Sequence, residues 1–233
     1  MAPEDVSVIP NAVDTTVFTP NPAARKSNTI TIVCITRLVY RKGVDLMVEI
    51  IPAICKEFQH VNFVIGGDGP MRVALEQMRE NHQLQDRVEM LGQVKHTDVR
   101  KVLVRGHIYL NCSLTEAFCI AILEAASCGL LVVSTKVGGV PEVMPSHMIR
   151  YAPPDPKQLT RVLARAIVMD LKDLVPQEFH DGVRNMYSWR DVAVRTCKVY
   201  DKIVRDEPKP LLVRLQHSST RGPVFGILIA ALL

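Results

Sequence analysis

Short apolar runs rich in β-branched residues alternate along this chain with stretches whose apolar positions recur at helical spacing. The runs predict strands at Val6–Ile9, Thr29–Ile35, Val61–Ile65, Val88–Leu91, Ile108–Asn111, Leu130–Ser134 and Met148–Tyr151. The helix-period stretches predict helices at Val44–Phe58, Met71–Asn81, Thr97–Val104, Phe118–Ser127, Pro156–Met169, Pro176–Met186 and Arg190–Val204. Pro52 lies inside the first of these and predicts a kink or a restart there. Strands that are apolar on both faces and separated by helices form a parallel sheet covered on both sides. The expected fold class is therefore α/β, a doubly wound, Rossmann-like parallel sheet. Such sheets bind ligands beyond the C-terminal ends of their strands.

The periodic pattern covers residues 1–205, read as one domain. Arg205-Asp206-Glu207-Pro208-Lys209-Pro210 then opens a polar, Pro-rich linker, 206–222, before a hydrophobic tail, 223–233. As a helix that tail spans roughly 15 Å, half of a roughly 30 Å hydrocarbon core. It reads as a truncated transmembrane segment, an interfacial anchor or a helix packed on the domain. Met1–Asp5 leads straight into Val6-Ser7-Val8-Ile9-Pro10, so no secretory leader is expected.

Composition adds two constraints. The chain has 233 residues, 48% hydrophobic, enough for one compact α/β domain. Its formal charge of +4 is too mild to require nucleic acid and suits phosphate groups, an anionic membrane surface or a plain solvated exterior. The cysteines Cys34, Cys55, Cys112, Cys119, Cys128 and Cys197 form no Cys-x-x-Cys pair and sit mostly in apolar runs. That usage suits a reducing compartment and argues against a disulfide framework or a zinc site.

The chemistry-bearing segments follow strands. Thr36-Arg37-Leu38-Val39-Tyr40-Arg41-Lys42-Gly43 comes after Thr29–Ile35. Arg37 offers a planar fork for phosphate oxygens and Lys42 a mobile point charge, together able to neutralise a diphosphate without a metal. Ile65-Gly66-Gly67-Asp68-Gly69-Pro70 invites comparison with the dinucleotide fingerprint Gly-x-Gly-x-x-Gly, but Arg72 stands where the third glycine is required. The loop reads instead as a tight turn that lets a ligand or another loop approach Gly67. After Leu130–Ser134, Gly138-Gly139 in Lys136-Val137-Gly138-Gly139-Val140-Pro141-Glu142 also permits close backbone approach, and Glu142 reads as structural.

The most informative segment is Ser113-Leu114-Thr115-Glu116-Ala117-Phe118-Cys119-Ile120-Ala121-Ile122-Leu123-Glu124-Ala125. A helix starting near Ala117 puts Glu116 at its entrance and Glu124 about two turns in. Glu124 has apolar neighbours on both sides, and a buried carboxylate needs partners. Ligand hydroxyls would serve, as would structural hydrogen bonds. If the segment is helical, the two Cα atoms lie roughly 12 Å apart. A retaining glycosidase needs its carboxyls about 5 to 5.5 Å apart. The pair thus fits two hydrogen-bonding posts along an extended ligand, with the helix N-terminus between them suited to a diphosphate.

Taken together and in chain order, the four segments resemble the retaining GT-B glycosyltransferases of family 4, over roughly Val6 to Val204. Those enzymes carry an Arg…Lys-Gly pair, a Gly-Gly-x-Gly-Pro turn, a Glu-x7-Glu motif and a Gly-Gly-x-x-Glu loop in the C-terminal of two Rossmann-like domains. Val6–Asp14, Arg37–Gly43, Leu114–Cys119 and Glu124–Leu130 narrow the resemblance to the PIG-A type within that family, which transfers N-acetylglucosamine from UDP-GlcNAc to phosphatidylinositol. By that resemblance Arg37 and Lys42 hold the UDP diphosphate and support its departure. Glu124 binds ribose hydroxyls and Glu116 binds hydroxyls of the donor sugar. Backbone near Phe118, Cys119 and Ile120 contacts sugar and phosphate, Val94 lies beside the uracil, and Gly67 lines the donor site. Arg37, Lys42 and Glu116 are the expected catalytic groups. No metal or other cofactor is implied. The implied setting is the cytosolic face of the endoplasmic reticulum membrane, with other subunits of a GlcNAc-transferase complex and phosphatidylinositol as acceptor. The resemblance places this chain in the donor-binding half, without the domain that holds most of the acceptor site. A non-catalytic donor-binding or assembly module is the alternative. A nicotinamide-dependent dehydrogenase is disfavoured by Arg72.

Overall fold

The structure, a computed structural model, describes residues 6–205, 210, 211 and 213. Residues Pro10–Val192 form one unit, and those up to Ile9 and from Ala193 onward group separately. The main unit is built on β1 (Ile30–Ile35), β2 (Val61–Gly66), β3 (Val88–Gly92), β4 (Ile108–Asn111), β5 (Leu131–Thr135) and β6 (Ile149–Ala152). These make one parallel sheet in the order β3-β2-β1-β4-β5-β6. The chain winds outward from β1 to β3, then returns to lay β4 on the other side of β1. The ends of β1 and β4 thus flank the point where the winding reverses, where doubly wound sheets take their ligands.

Between the strands run α1 (Val44–Glu57), α2 (Arg72–Asn81), α3 (His96–Leu103) and α4 (Ile120–Ser127), and after β6 come α5 (Pro156–Arg165), α6 (Pro176–Met186) and α7 (Trp189–Arg205). Helix α1 packs against α2 and α5, while α4 packs against α6. Every residue of β4 and β5 is buried, as a strand covered on both faces requires. Helix α1 turns Leu46, Met47, Ile50, Ile51 and Ile54 into the core, at the spacing of one helix face. It continues through Pro52 without restarting. Helix α5 carries on as a π-helical turn to Asp170. Its start is fixed by Asp155, whose carboxylate accepts from the Gln158 N–H at 2.8 Å.

Val6–Ile9 is not a strand; Val6 and Val8 are exposed and the run pairs with no strand among the described residues, so β-propensity has no ladder to join. Helix α4 begins at Ile120 rather than near Ala117. The Glu116 carbonyl accepts from the Gly139 N–H at 3.1 Å instead of opening a helical ladder, and Cys119 takes a left-handed conformation, φ 63°. The separation that assumed a helix from Glu116 to Glu124 therefore does not apply. The expected linker, apart from residues 210, 211 and 213, and the tail 223–233 lie outside the described residues. Among the described residues no helix is long and apolar enough to cross a membrane.

Under the sheet, the Thr31 N–H donates to His107 Nδ1 at 3.0 Å. Burial, helped by the Arg25 charge, pushes the His107 imidazole from its ordinary 6.5 down to about 4. The folded chain then binds fewer protons than the unfolded chain between these values. Stability from this site is complete above the unfolded value and lost as pH falls through the folded one. The unfolding free energy measured in urea is expected to fall between pH 6.5 and 4, by about 1–2 kcal/mol for this group after solvent screening. A His107→Asn chain, which cannot take up that proton, is expected to show a shallower acid decline.

Candidate active site

Four loops leave the C-terminal edge of the sheet, and their backbones are laced together. After β1, the Leu38 N–H donates to the Asp68 carbonyl at 2.9 Å, and the Met71 N–H donates back to the Leu38 carbonyl at 2.9 Å. Gly67 lies so close that a Cβ there would sit 1.8 Å from the Thr36 carbonyl oxygen. The glycine turn after β2 therefore serves the approach of another loop. Between the β1 and β4 loops, the Leu114 N–H donates to the Arg41 carbonyl at 2.9 Å. After β5, a Cβ on Gly138 would sit 1.9 Å from the Glu116 carbonyl oxygen. The close approach expected at Gly138-Gly139 is thus made by the loop that carries Glu116.

This lacing joins two distant stretches of sequence. Lys42 Nζ and Glu116 Oε1 form an ion pair, with only 17% and 15% of their side chains exposed. Ser113 Oγ lies 3.2 Å from the same carboxylate oxygen. A buried chain of polar groups supports Ser113: its hydroxyl reaches Asn111 Oδ1 at 2.9 Å, and Asn111 Nδ2 donates to Ser134 Oγ at 2.9 Å. Thr135 Oγ1 donates to the Ser113 carbonyl at 2.5 Å. Satisfied networks of this kind hold a loop in one arrangement.

Glu124 lies about one turn into α4, closer to the helix start than a helix from Ala117 would put it. It is buried, and burial raises its carboxyl above the ordinary range while the hydrogen bond and charge of His96 oppose that rise. His96 Nε2 stands 3.3 Å from Glu124 Oε1. Between the two acids sits Cys119. Burial pushes its thiol up to about 11, with the charges of Glu116, Lys42 and Glu124 all acting on it.

The remaining candidates are spread along the same edge. Arg37, just past β1, is exposed, with no side-chain hydrogen bond or ion pair among the described residues. Val94, past β3, packs against Gly66; a Cβ there would come within 2.8 Å of Val94 Cγ2. Phe118 meets Tyr187 edge-on, ring centroids 5.5 Å apart, and Ile120 at the helix start is exposed. With Cys119 left-handed, the first N–H groups of α4 open the helix without a side-chain cap, an arrangement that favours anions.

Sequence reasoning missed His96, Asn111, Ser134 and Thr135 as supports of the site. The last three carried a signal, being polar residues at the ends of otherwise apolar strands. His96 carried none, since its pairing with Glu124 depends on how α3 and α4 sit across the sheet edge.

Residues 18–174 match the family described as glycosyl transferases group 1. The chain is 55% identical to the phosphatidylinositol N-acetylglucosaminyltransferase subunit from Arabidopsis thaliana, over 97% of this chain and 50% of that protein. It is 53% identical to the Homo sapiens protein of the same name, over 99% of this chain and 48% of that protein. The chain thus spans about half the length of the curated relatives it matches. Among solved structures it resembles the pneumococcal O-GlcNAc transferase GtfA in complex with UDP and GlcNAc, with a TM-score of 0.71 at 17% identity, covering 84% of this chain and 39% of that one. That likeness carries the fold, a parallel sheet of the kind found in GT-B glycosyltransferases. The family match extends from Phe18, whose carbonyl accepts from Ser127 at the end of α4, past the last strand, and so takes in the whole laced edge. This chain belongs to the glycosyl transferases group 1 family.

Proposed function

We propose that this chain supplies the donor site of an enzyme that moves N-acetylglucosamine from UDP-GlcNAc to phosphatidylinositol, the first step of glycosylphosphatidylinositol anchor synthesis. The observation that carries the donor site is the half-buried ion pair of Lys42 with Glu116, just before α4 with its buried Glu124, where the sheet's winding reverses. The names of the half-matched relatives support the sugar and the acceptor. On this reading the chain works with other subunits of a GlcNAc-transferase, at the cytosolic face of the endoplasmic reticulum membrane.

In the proposed complex the diphosphate lies against the start of α4, with Lys42 and Arg37 on its oxygens. The ribose hydroxyls bond to Glu124, the uracil lies beside Val94, and the sugar hydroxyls bond to Glu116. As the bond to the leaving diphosphate breaks, negative charge grows on its oxygens. Preorganised cations at that place stabilise the transition state more than the ground state. Glu116 holds Lys42 in place beforehand, so little reorganisation is needed. Because two cations and a helix terminus neutralise the diphosphate, this reading needs no metal.

Calorimetric titration of the chain with UDP-GlcNAc in the presence of a chelator tests the proposal. Binding is expected without magnesium, and Glu124→Ala is expected to weaken it by about 10- to 100-fold, the loss of charged hydrogen bonds to the ribose. Absence of binding by a folded wild-type chain overturns the donor site. Binding without sugar transfer, when the chain is assayed with phosphatidylinositol, favours a donor-binding module without turnover.

A further inference from the structure

We infer that His96 is a positioning residue for donor binding: its imidazole fixes the Glu124 carboxylate in the orientation, and in the ionised form, that the ribose hydroxyls need. The inference rests on the reading of Glu124 as a donor-binding group. The geometry is that of a second partner. His96 opens α3 at the C-terminal edge of the sheet and reaches across to α4, where Nε2 meets Glu124 Oε1 at 3.3 Å. Its ring is held edge-on by Phe18, centroids 5.8 Å apart. One carboxylate oxygen is thereby engaged, and the other has no hydrogen bond among the described residues, which leaves it for a ligand.

Glu124 needs such help because it is buried while His96 is 77% exposed at its side chain. Burial favours the protonated acid, and a protonated carboxyl is a poor acceptor for two hydroxyl donors. Glu124 acts in turn on Tyr109 from β4, Cys119 before α4 and Cys128 after it, while on the neighbouring helices Arg100 of α3 bonds to Thr19 and His180 of α6 meets Ser127. Burial holds the two thiols up at about 11 and about 12 and the phenol well above its ordinary range, so all three stay neutral near physiological pH. Among the described residues, His96 is the one whose side chain meets the Glu124 carboxylate. With His96 removed, both influences that lower the Glu124 carboxyl disappear.

The test is the pH profile of UDP-GlcNAc affinity, since neither phosphate of that diester titrates between about pH 4 and pH 8 and the profile reports the protein. Affinity that needs ionised Glu124 is present at higher pH and falls away as the carboxyl protonates. In His96→Ala, affinity at neutral pH is expected to weaken about five- to tenfold. The acid decline should also move to higher pH, while the thermal midpoint changes little. His96→Gln, which keeps an N–H donor, should recover much of the affinity. If His96→Ala lowers affinity equally at every pH, or leaves it unchanged, while Glu124→Ala still weakens binding about 10- to 100-fold, the inference fails and the donor site stands. If Glu124→Ala binds as tightly as wild type, the donor-site reading itself has failed and the inference falls with it.

Discussion

Lys42→Ala is expected to weaken UDP and UDP-GlcNAc binding by about 100- to 1,000-fold, and adding Glu116→Gln to recover part of that loss for UDP. The reason lies in what Lys42 leaves behind. In the intact chain the ammonium faces Glu116 in a place where each side chain is less than one-fifth exposed. Its three protons can serve a carboxylate and phosphate oxygens together. Without it, an unpaired carboxylate stands where a diphosphate must come to rest. Two like charges about 5 Å apart, at an effective dielectric near 20, repel by about 3 kcal/mol. The lost charge-assisted hydrogen bond adds about 1.5–3 kcal/mol, and rearrangement of the loop offsets part of the sum. Neutralising Glu116 removes the repulsion but not the lost attraction, so recovery is partial. Glu116→Gln alone should leave UDP binding nearly intact and impair UDP-GlcNAc, because only the latter carries the sugar hydroxyls. A calorimetric double-mutant cycle measures this coupling directly. Simple additivity of the two substitutions for UDP would show that the carboxylate and the diphosphate do not share a site.

Much of this arrangement was legible in the chain, and the reasons differ by element. The strands of the sheet are continuous apolar runs, and a strand covered on both faces leaves little else for such a run to be. Val6–Ile9 has the same local composition and fails only because it has no neighbour to pair with. That is a fact about the rest of the fold, which a local pattern does not hold. The start of α4 was misplaced for a related reason. Ala117 to Cys119 has helix-compatible residues, but the backbone is claimed by the Gly138-Gly139 loop from the next strand, and Cys119 is left-handed where α4 begins. The same contact explains why those glycines are there. The ion pair of Lys42 with Glu116 joins residues separated by an entire half of the sheet. Its components were readable as charge in loops after strands, and its existence follows only from the winding that sets β4 beside β1. His96 shows where such reading stops: an exposed histidine at a helix start looks like solvent-facing surface until α4 is placed beside it.

Gly43→Ala is expected to destabilise the chain by about 3 kcal/mol or more, a large share of the about 5–15 kcal/mol that holds a typical domain folded. Gly43 sits between Lys42 and α1 in the left-handed region, φ 67° and ψ 37°, where an L side chain costs about 1–2 kcal/mol. The added methyl would also lie 1.9 Å from the Cys112 carbonyl oxygen and 2.8 Å from its carbonyl carbon. Neither atom belongs to a flexible side chain. Cys112 is buried directly after β4, so its carbonyl can yield only if the end of that strand moves. Such movement shifts Ser113, which supports Glu116, on one side of the clash and Lys42 on the other. The substitution therefore strikes stability and donor binding together. Gly182→Ala supplies the contrast. It lies inside α6, where its methyl would meet the flexible Met148 Sδ at 3.2 Å. There the gain in helix propensity, about 1 kcal/mol, roughly offsets the squeeze. Urea unfolding of both variants reads the difference: a midpoint near wild type for Gly182→Ala and a much lower one for Gly43→Ala. Equal midpoints would mean that the β1 and β4 loops are not pressed together at Gly43, and the close approach that joins Lys42 to Glu116 would lose its physical basis.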